Sequence, residues 1–374
     1  MKIAYIAGWP IPSRAANAVH VMKMCQAYAS CGHEVLLIHP AGSHDDLTDI
    51  DNLFEHYGVE QNFKMFSVQM PKGRLGLLSY AVKAARCAKK HNVDLVHSRC
   101  LMSAWVASLF GLRVIFEKHD SLDGQGKIAR AVFRVLLKSK NLAKLVVISD
   151  ALKEHLSERF QIPQNRIIAA HDGADPFPDT QVKPAFDKIE GKLHVGYIGH
   201  LYKGRGIDVI ADIAKSLTDV EFHIVGGTQE DLSYWKTTLS KMHNVHFYGY
   251  VPHSETIGYL KHLDVLLAPY QKKVGGYAGK GNTVQWMSPL KIFEYMATGI
   301  PMICSDLSVL HEILEDKRNV FLCAPDNSDE WVETIRYIQD NREEAQDIAN
   351  TAKAEFLSKY TWKKRSEHIA DNVS

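Results

Sequence analysis

The chain has 374 residues, 46% of them hydrophobic and 23% charged, with a net charge of +1, the balance of an ordinary soluble globular protein. That length exceeds one hydrophobic core of usual size, so two domains of roughly 150 to 200 residues are expected. Residues 1–180 carry 22 Lys and Arg against 17 Asp and Glu, and residues 181–374 carry 22 against 26, so the amino-terminal half is better suited to an anionic surface or substrate. In chain order, the short β-branched runs KIAYIA, EVLLIHP, FKMFSV, LVHS, VIFEKH and KLVVIS alternate with helical patterns before residue 150. A polar, proline-bearing stretch, DPFPDTQVKPAFDKIEGK, interrupts the alternation between Asp175 and Lys192. It restarts with LHVGYIGH, VEFHIVG, NVHFYGY, VLLAPY, PMICSD and NVFLCAP. The pattern predicts α/β architecture, with a doubly wound parallel sheet in each half. The expected boundaries are an amino-terminal domain over 1–180, a linker over 181–192, a carboxyl-terminal domain over 193–355 and a closing helix over 356–374 with the option of crossing back. Ligands of such folds bind at the carboxyl ends of strands, so a cleft between facing strand ends is the expected site.

Several classes drop out. The six cysteines show no CxxC spacing and several sit in apolar runs, which reads as buried thiols in a reducing compartment. The start MKIAYIAGWPIP is cut short by Pro10 and Pro12 and reads as a first strand, not a signal peptide. The longest mostly apolar run, LMSAWVASLFGLRVIF, contains Arg113 and falls short of the roughly 20 residues of a membrane span. No nucleophile elbow and no convincing metal-ligand spacing is present, so no metal or cofactor is expected.

Two segments of the second half suit a diphosphate. SPLKIFEYMATG predicts a short helix with Ser288 as N-cap, Pro289 in its first turn and Gly299 after its end. Leu290, Phe293 and Ala297 should face the sheet. Lys291 and Glu294 are open to two readings, an i, i+3 surface pair or a helix whose amino-terminal amides hold a phosphate while Glu294 accepts from a ribose diol. GYIGHLYKGRGID brings Lys203 and Arg205 onto a glycine-rich loop after a strand, with Gly196, Gly199, Gly204 and Gly206 allowing tight turns. QKKVGGYAGKGNTVQW reads as a mobile loop beside the same site.

The ordered series GYIGHLYKGRGID, FYGYVPHSE, LDVLLAPY and SPLKIFEYMATGIPMICSD resembles the carboxyl-terminal domain of retaining GT-B glycosyltransferases of family 4, also called glycosyl transferases group 1. AANAVHVMKMCQAYASCGHEVLLIHP, VVISDALKEHL and AAHDGAD resemble the amino-terminal half of that family. The resemblance implies a GT-B fold, two tandem Rossmann-like domains facing a central cleft. It implies donor contacts from Gly199, His200, Lys203, Arg205, the backbone at Val251, Ser288, Pro289, Leu290 and Glu294. Lys203 and Glu294 join His119, which matches a histidine near the transferred sugar, as the catalytic set. His97, His20 and His171 have weaker claims. Ala15, Ala16, Asn17 and Trp286 fall on the acceptor or sugar side. Two positions depart from the family: Trp286 stands where the first glutamate of Glu-x7-Glu would be, and His200 replaces a basic residue, a charge that Arg205 is placed to supply.

The activity implied is transfer of a hexosyl group from a UDP- or GDP-sugar to an acceptor hydroxyl with retention of configuration, in cell-surface polysaccharide or glycolipid synthesis, without a metal. A GT-B-like nucleotide-sugar epimerase and a non-catalytic nucleotide-sugar binding protein are the alternatives. No acidic residue occurs from Gln61 to Val93, where Lys64, Lys72, Arg74, Lys83, Arg86, Lys89 and Lys90 lie. Lys127, Arg130, Arg134 and Lys138 form a second basic face, opposite Ile128, Val132 and Leu136. Such faces suit anionic lipid head groups or a lipid-diphosphate acceptor, or are simply solvated. The expected partners are a nucleotide-sugar and a glycan or lipid-linked acceptor, with no nucleic acid, in the cytoplasm or on the cytoplasmic face of a membrane.

Overall fold

The computed structural model describes residues 1–42, 50–73, 75–123, 125–177, 182–275 and 282–373. Contacts divide the chain into two compact units, one formed by Met1–Asp172 with Trp362–Ser374 and the other by Gly173–Thr361. The division falls after Asp172, where the sequence suggested 180. Residues 182–192 of the expected linker group with the second unit, and the segment grouping with the first starts at Trp362.

The first unit is built on β1 (Lys2–Ile6), β2 (Glu34–Pro40), β3 (Lys64–Val68), β4 (Leu95–Ser98), β5 (Val114–Lys118), β6 (Leu142–Val147) and β7 (Ile167–Ala169). They form one sheet in the order β3-β2-β1-β4-β5-β6-β7 with every pairing parallel. The second unit holds β8 (Leu193–Ile198), β9 (Val220–Val225), β10 (Val245–Gly249), β11 (Val265–Ala268), β12 (Met302–Ser305) and β13 (Phe321–Cys323), in the order β10-β9-β8-β11-β12-β13 and again parallel. Helices between the strands bury their apolar sides on the sheets, which is why central strands such as VLLI and LLA are apolar without alternation. All twelve strands expected from the sequence are present. The thirteenth, β7, has only three residues, IIA, too few to show a periodicity.

In both sheets the strand order reverses beside the first strand, between β1 and β4 and between β8 and β11. At these two points the loops leaving neighbouring strands diverge to opposite faces and leave room for a ligand. All six cysteines are free thiols. Among the described residues no helix is long and apolar enough to cross a membrane.

The helix Lys127–Lys138 corrects one expectation. It buries Phe133 and Leu136, while Ile128 is 79% and Val135 53% exposed. The core-facing stripe thus runs through Phe133, and Ile128 lies out among the basic residues.

Candidate functional site

The switch point of the second unit is built by the loop after β8. Gly199 has φ +151°, and its amide donates to Val225 O at 2.9 Å, which turns the chain sharply off the strand. Gly206, at φ +85°, caps the helix Ile207–Ser216. A Cβ there would strike the carbonyl of Pro269 just beyond β11, so only glycine lets the two loops touch. Gly196 differs from the loop glycines, since it lies inside β8. Tyr197 donates its hydroxyl to His200 O at 2.5 Å, and the His200 ring stacks on Tyr202. Arg205 donates to the Tyr202 hydroxyl at 2.7 Å and lies over the rings of Tyr202 and Tyr270, at 4.9 and 5.6 Å. Its Nε is buried without a hydrogen-bond partner. Lys203 is exposed at the tip of the same loop.

The helix Leu290–Thr298 is set against this loop, because the Tyr295 hydroxyl accepts from Ile198 N at 2.9 Å at the end of β8. Pro289, not Ser288, is its N-cap, and Gly299 ends it at φ +70°. Ser288 is buried instead. The helix buries six residues over more than one face, Lys291 among them, while Leu290 is only half-buried. The surface pair is therefore not formed. The Lys291 ammonium sits 3.3 Å from the centroid of the Tyr197 ring and 5.4 Å from that of Tyr270, buried and without a hydrogen-bond partner. Burial, then the nearby Arg205 charge, hold its pKa well below the usual lysine value.

Glu294 goes elsewhere. One of its carboxylate oxygens lies 2.8 Å from His253 Nε2, and both side chains keep some exposure. His253 comes two residues after Val251 in GYVPHSE, so this contact draws that segment onto the helix. His253 was not singled out from the sequence. Trp286 is half-exposed just before the helix, with its amide donating to Thr283 O at 3.0 Å. Residues 276–281 of the glycine-rich loop, and with them Gly276, Gly279 and Gly281, lie outside the described residues, as does Arg74 in the first unit.

In the first unit Ala15 is the N-cap of the helix Ala16–Ser30, and the Asn17 Oδ1 is buried without a hydrogen-bond partner. His119 follows β5 directly and belongs to a network that composition and spacing did not reveal. Glu117, fully buried on β5, receives His97 Nε2 at 2.7 Å, His119 Nε2 at 2.5 Å and Arg365 Nη2 at 3.1 Å, with His20 Nε2 at 3.2 Å. On the other side of the rings, Arg99 donates to His20 Nδ1 at 2.7 Å and to His119 Nδ1 at 2.9 Å. Arginine can only donate, so both Nδ1 atoms are acceptors and both rings are neutral with the proton on Nε2. The electrostatics agree. Burial, then Arg99, lower His20 well below the usual range and His119 to about 3. Burial alone would raise Glu117, but Arg365 and the histidine hydrogen bonds prevail and hold it well below an ordinary carboxylate. Asp172 is raised by burial to about 7, against the Arg365 and Arg99 charges that lower it.

His20, Glu117, His119 and Asp172 each offer an atom within 4.8 Å of the others, a set that could suit a cation. As arranged it does not fit one: Nδ1 of both His20 and His119 is taken by Arg99, which leaves the proton on Nε2 of each, His119 Nε2 is bonded to Glu117, and Arg365 already balances Glu117. The same accounting bears on His119. Both its nitrogens have protein partners, so contact with a sugar requires one of those bonds to be exchanged.

Two all-parallel units with this strand order define the GT-B fold. Residues 18–176 match Glycosyltransferase Family 4 and residues 192–341 match Glycosyl transferases group 1. The chain belongs to this glycosyltransferase family. Spore coat protein SA of Bacillus subtilis is 23% identical over 309 residues, covering 75% of this chain and 78% of that protein. The crystal structure of a glycosyltransferase from Rickettsia africae superposes with a TM-score of 0.75 at 15% identity, over 99% of this chain and 97% of that one. Anabaena Alr3699/HepE in complex with UDP superposes with a TM-score of 0.71 at 16% identity, over 99% of each chain.

Proposed function

We propose that the protein transfers a hexosyl group from a UDP- or GDP-sugar to the hydroxyl of a glycan or lipid-linked acceptor, with retention of configuration and without a metal, in cell-surface polysaccharide or glycolipid synthesis on the cytoplasmic side. The observation that carries the reading is the meeting, at the switch point of the second unit, of a glycine-turned loop bearing Lys203 and Arg205 with the start of the helix that carries Glu294. The UDP bound by Alr3699/HepE supports a nucleotide donor for the fold. In this reaction the bond from the anomeric carbon to the phosphate oxygen breaks, and the acceptor oxygen bonds to the same carbon on the same face. The acceptor proton passes to the departing phosphate oxygen. Negative charge grows on the diphosphate, and Lys203, Arg205 and the first-turn amides of the helix Leu290–Thr298 are placed to stabilise it. Val251 and Glu294 hold base and ribose. Asn17, with its unpaired acceptor oxygen, and Ala15 and Ala16, with their small side chains, serve the acceptor or sugar side, as does Trp286.

Incubation with a panel of UDP- and GDP-sugars and candidate acceptors tests the reading. Acceptor-dependent release of nucleotide is expected, and Lys203→Ala should lower it at least tenfold, since one removed charge-stabilising group is typically worth that much or more. Isomerised donor, or binding with neither release nor isomerisation, would overturn transfer. The exposed mixture of Ile128 and Val135 with Lys127, Arg134 and Lys138 suits the boundary of an anionic bilayer. Flotation with vesicles containing phosphatidylglycerol at low salt should carry the protein, and reversing Arg130 and Arg134 to glutamate should weaken it several-fold. Absence of flotation at low salt rejects the membrane contact.

A further inference from the structure

Two basic side chains meet at the switch point of the second unit, and among the described residues no carboxylate pairs with either. Among the described residues neither Lys291 nor Arg205 forms an ion pair within 4 Å, and each keeps a buried donor without a hydrogen-bond partner, Nζ in one and Nε in the other. Both lie over the Tyr270 ring, Nζ of Lys291 at 5.4 Å and the Arg205 guanidinium carbon at 5.6 Å. Buried charge left in this way is costly unless an anion or a protonation change relieves it. The side chain of Lys291, second in its helix, runs back toward the helix amino terminus, as helix geometry requires. Its ammonium thereby joins the first-turn amides and the positive end of the dipole. It also points at a gap that glycine keeps open, because a Cβ on Gly199 would lie 3.0 Å from Nζ and 3.1 Å from Cε. Glu294, three residues on, favours the charged form but forms no ion pair with it, and one of its oxygens meets His253.

We infer that Lys291 binds the diphosphate of the donor from beneath the Gly199 turn, acting with Arg205 as the pair of charges that receives the leaving group. The inference rests on the proposal that the second unit holds a nucleotide diphosphate, and it adds a ligand that neither the sequence patterns nor the exposed position of Lys203 suggest. Tyr197, Tyr270, Arg205, Glu294 and Cys304 are the titratable groups around the ammonium. Glu294 is the one carboxylate among them, so an arriving phosphate adds further negative charge that favours the charged form of the lysine, and binding draws in a proton.

Titration calorimetry with UDP and with GDP, using uridine and guanosine as phosphate-free controls, separates the outcomes. In Lys291→Met, close in shape but uncharged, affinity for the diphosphate that the wild type binds should fall at least tenfold while affinity for the free nucleoside is unchanged. The melting temperature should stay level or rise, because a buried polar group without a hydrogen-bond partner is removed. Lys291→Gln, which keeps a polar tip, should lose affinity similarly and serves if the methionine variant folds poorly. Diphosphate binding undiminished in both variants overturns the role of Lys291 while leaving the nucleotide site standing. A wild-type protein that binds neither UDP nor GDP overturns the nucleotide site and this inference together.

Discussion

Replacing Glu117 by glutamine should cost the first unit about 3–5 kcal/mol, the range for removing one partner of a buried ion pair. The size follows from what loses its acceptor. Arg365 would keep its charge in a fully buried place, with Asp172 at 4.0 Å, and the imidazole N–H groups of His97 and His119 would compete for one amide oxygen. Because Arg365 lies on the helix Trp362–Asp371, 248 residues along the chain from Glu117, the same substitution should loosen that helix. Urea unfolding followed by circular dichroism measures the loss, and a midpoint shift equivalent to less than about 1 kcal/mol would reject this account. Glu117→Gln combined with Arg365→Met should recover part of the stability, since the second change removes the uncompensated charge.

The network also sets a pH dependence. His20, His97 and His119 have folded pKa values below the ordinary histidine value, with His119 at about 3. As pH falls below about 6.5 the unfolded chain binds protons that the folded rings refuse, so stability declines with acid. Glu117, depressed in the folded state, adds to the loss once pH falls through the ordinary carboxylate range. Asp172 acts oppositely: its folded value of about 7 lies above its unfolded one, so its contribution is present at low pH and is lost as pH rises toward 7. Asp172→Asn should therefore steepen the acid decline in unfolding free energy between about pH 4 and 6.5 by roughly one proton.

The layered architecture was legible because central parallel strands must be apolar on both faces, which leaves unmistakable runs such as EVLLIHP. The site was legible only where local backbone demands coincide with function, as at Gly199, Gly206 and Gly299, whose positive φ values the turns require. What stayed hidden depends on tertiary burial. Lys291 and Glu294 at i, i+3 look like a surface pair on any helix drawn alone, and only packing against Tyr197 and His253 sends them apart. Glu117 looks like a polar break in VIFEKH, and nothing in the sequence joins it to Arg365. The exposed Ile128 shows the converse limit, since the i, i+4, i+8 spacing of Ile128, Val132 and Leu136 marked a stripe but not which stripe is buried.

Glu294→Ala should lower kcat/KM for the nucleotide-sugar by roughly 10²-fold, a loss of about 3 kcal/mol. Two hydrogen bonds from a ribose diol to one carboxylate are charge-assisted, each worth about 1.5–3 kcal/mol, and part of that is retained by water in the variant. His253 Nε2 lies against one carboxylate oxygen, and a carboxylate offers about four acceptor directions, enough to take a diol beside the imidazole. The histidine thus fixes the carboxylate before the donor arrives, and His253→Ala should cost less, about three- to tenfold, by freeing a side chain that still carries the acceptor atoms. Glu294→Gln should fall between the two, keeping one carbonyl oxygen but losing the charge. The 2′-deoxy donor supplies the decisive comparison: it lacks one of the two hydroxyls, so wild type should discriminate against it and Glu294→Ala should not. Equal discrimination by both proteins would remove Glu294 from the ribose and leave it the role of a partner for His253.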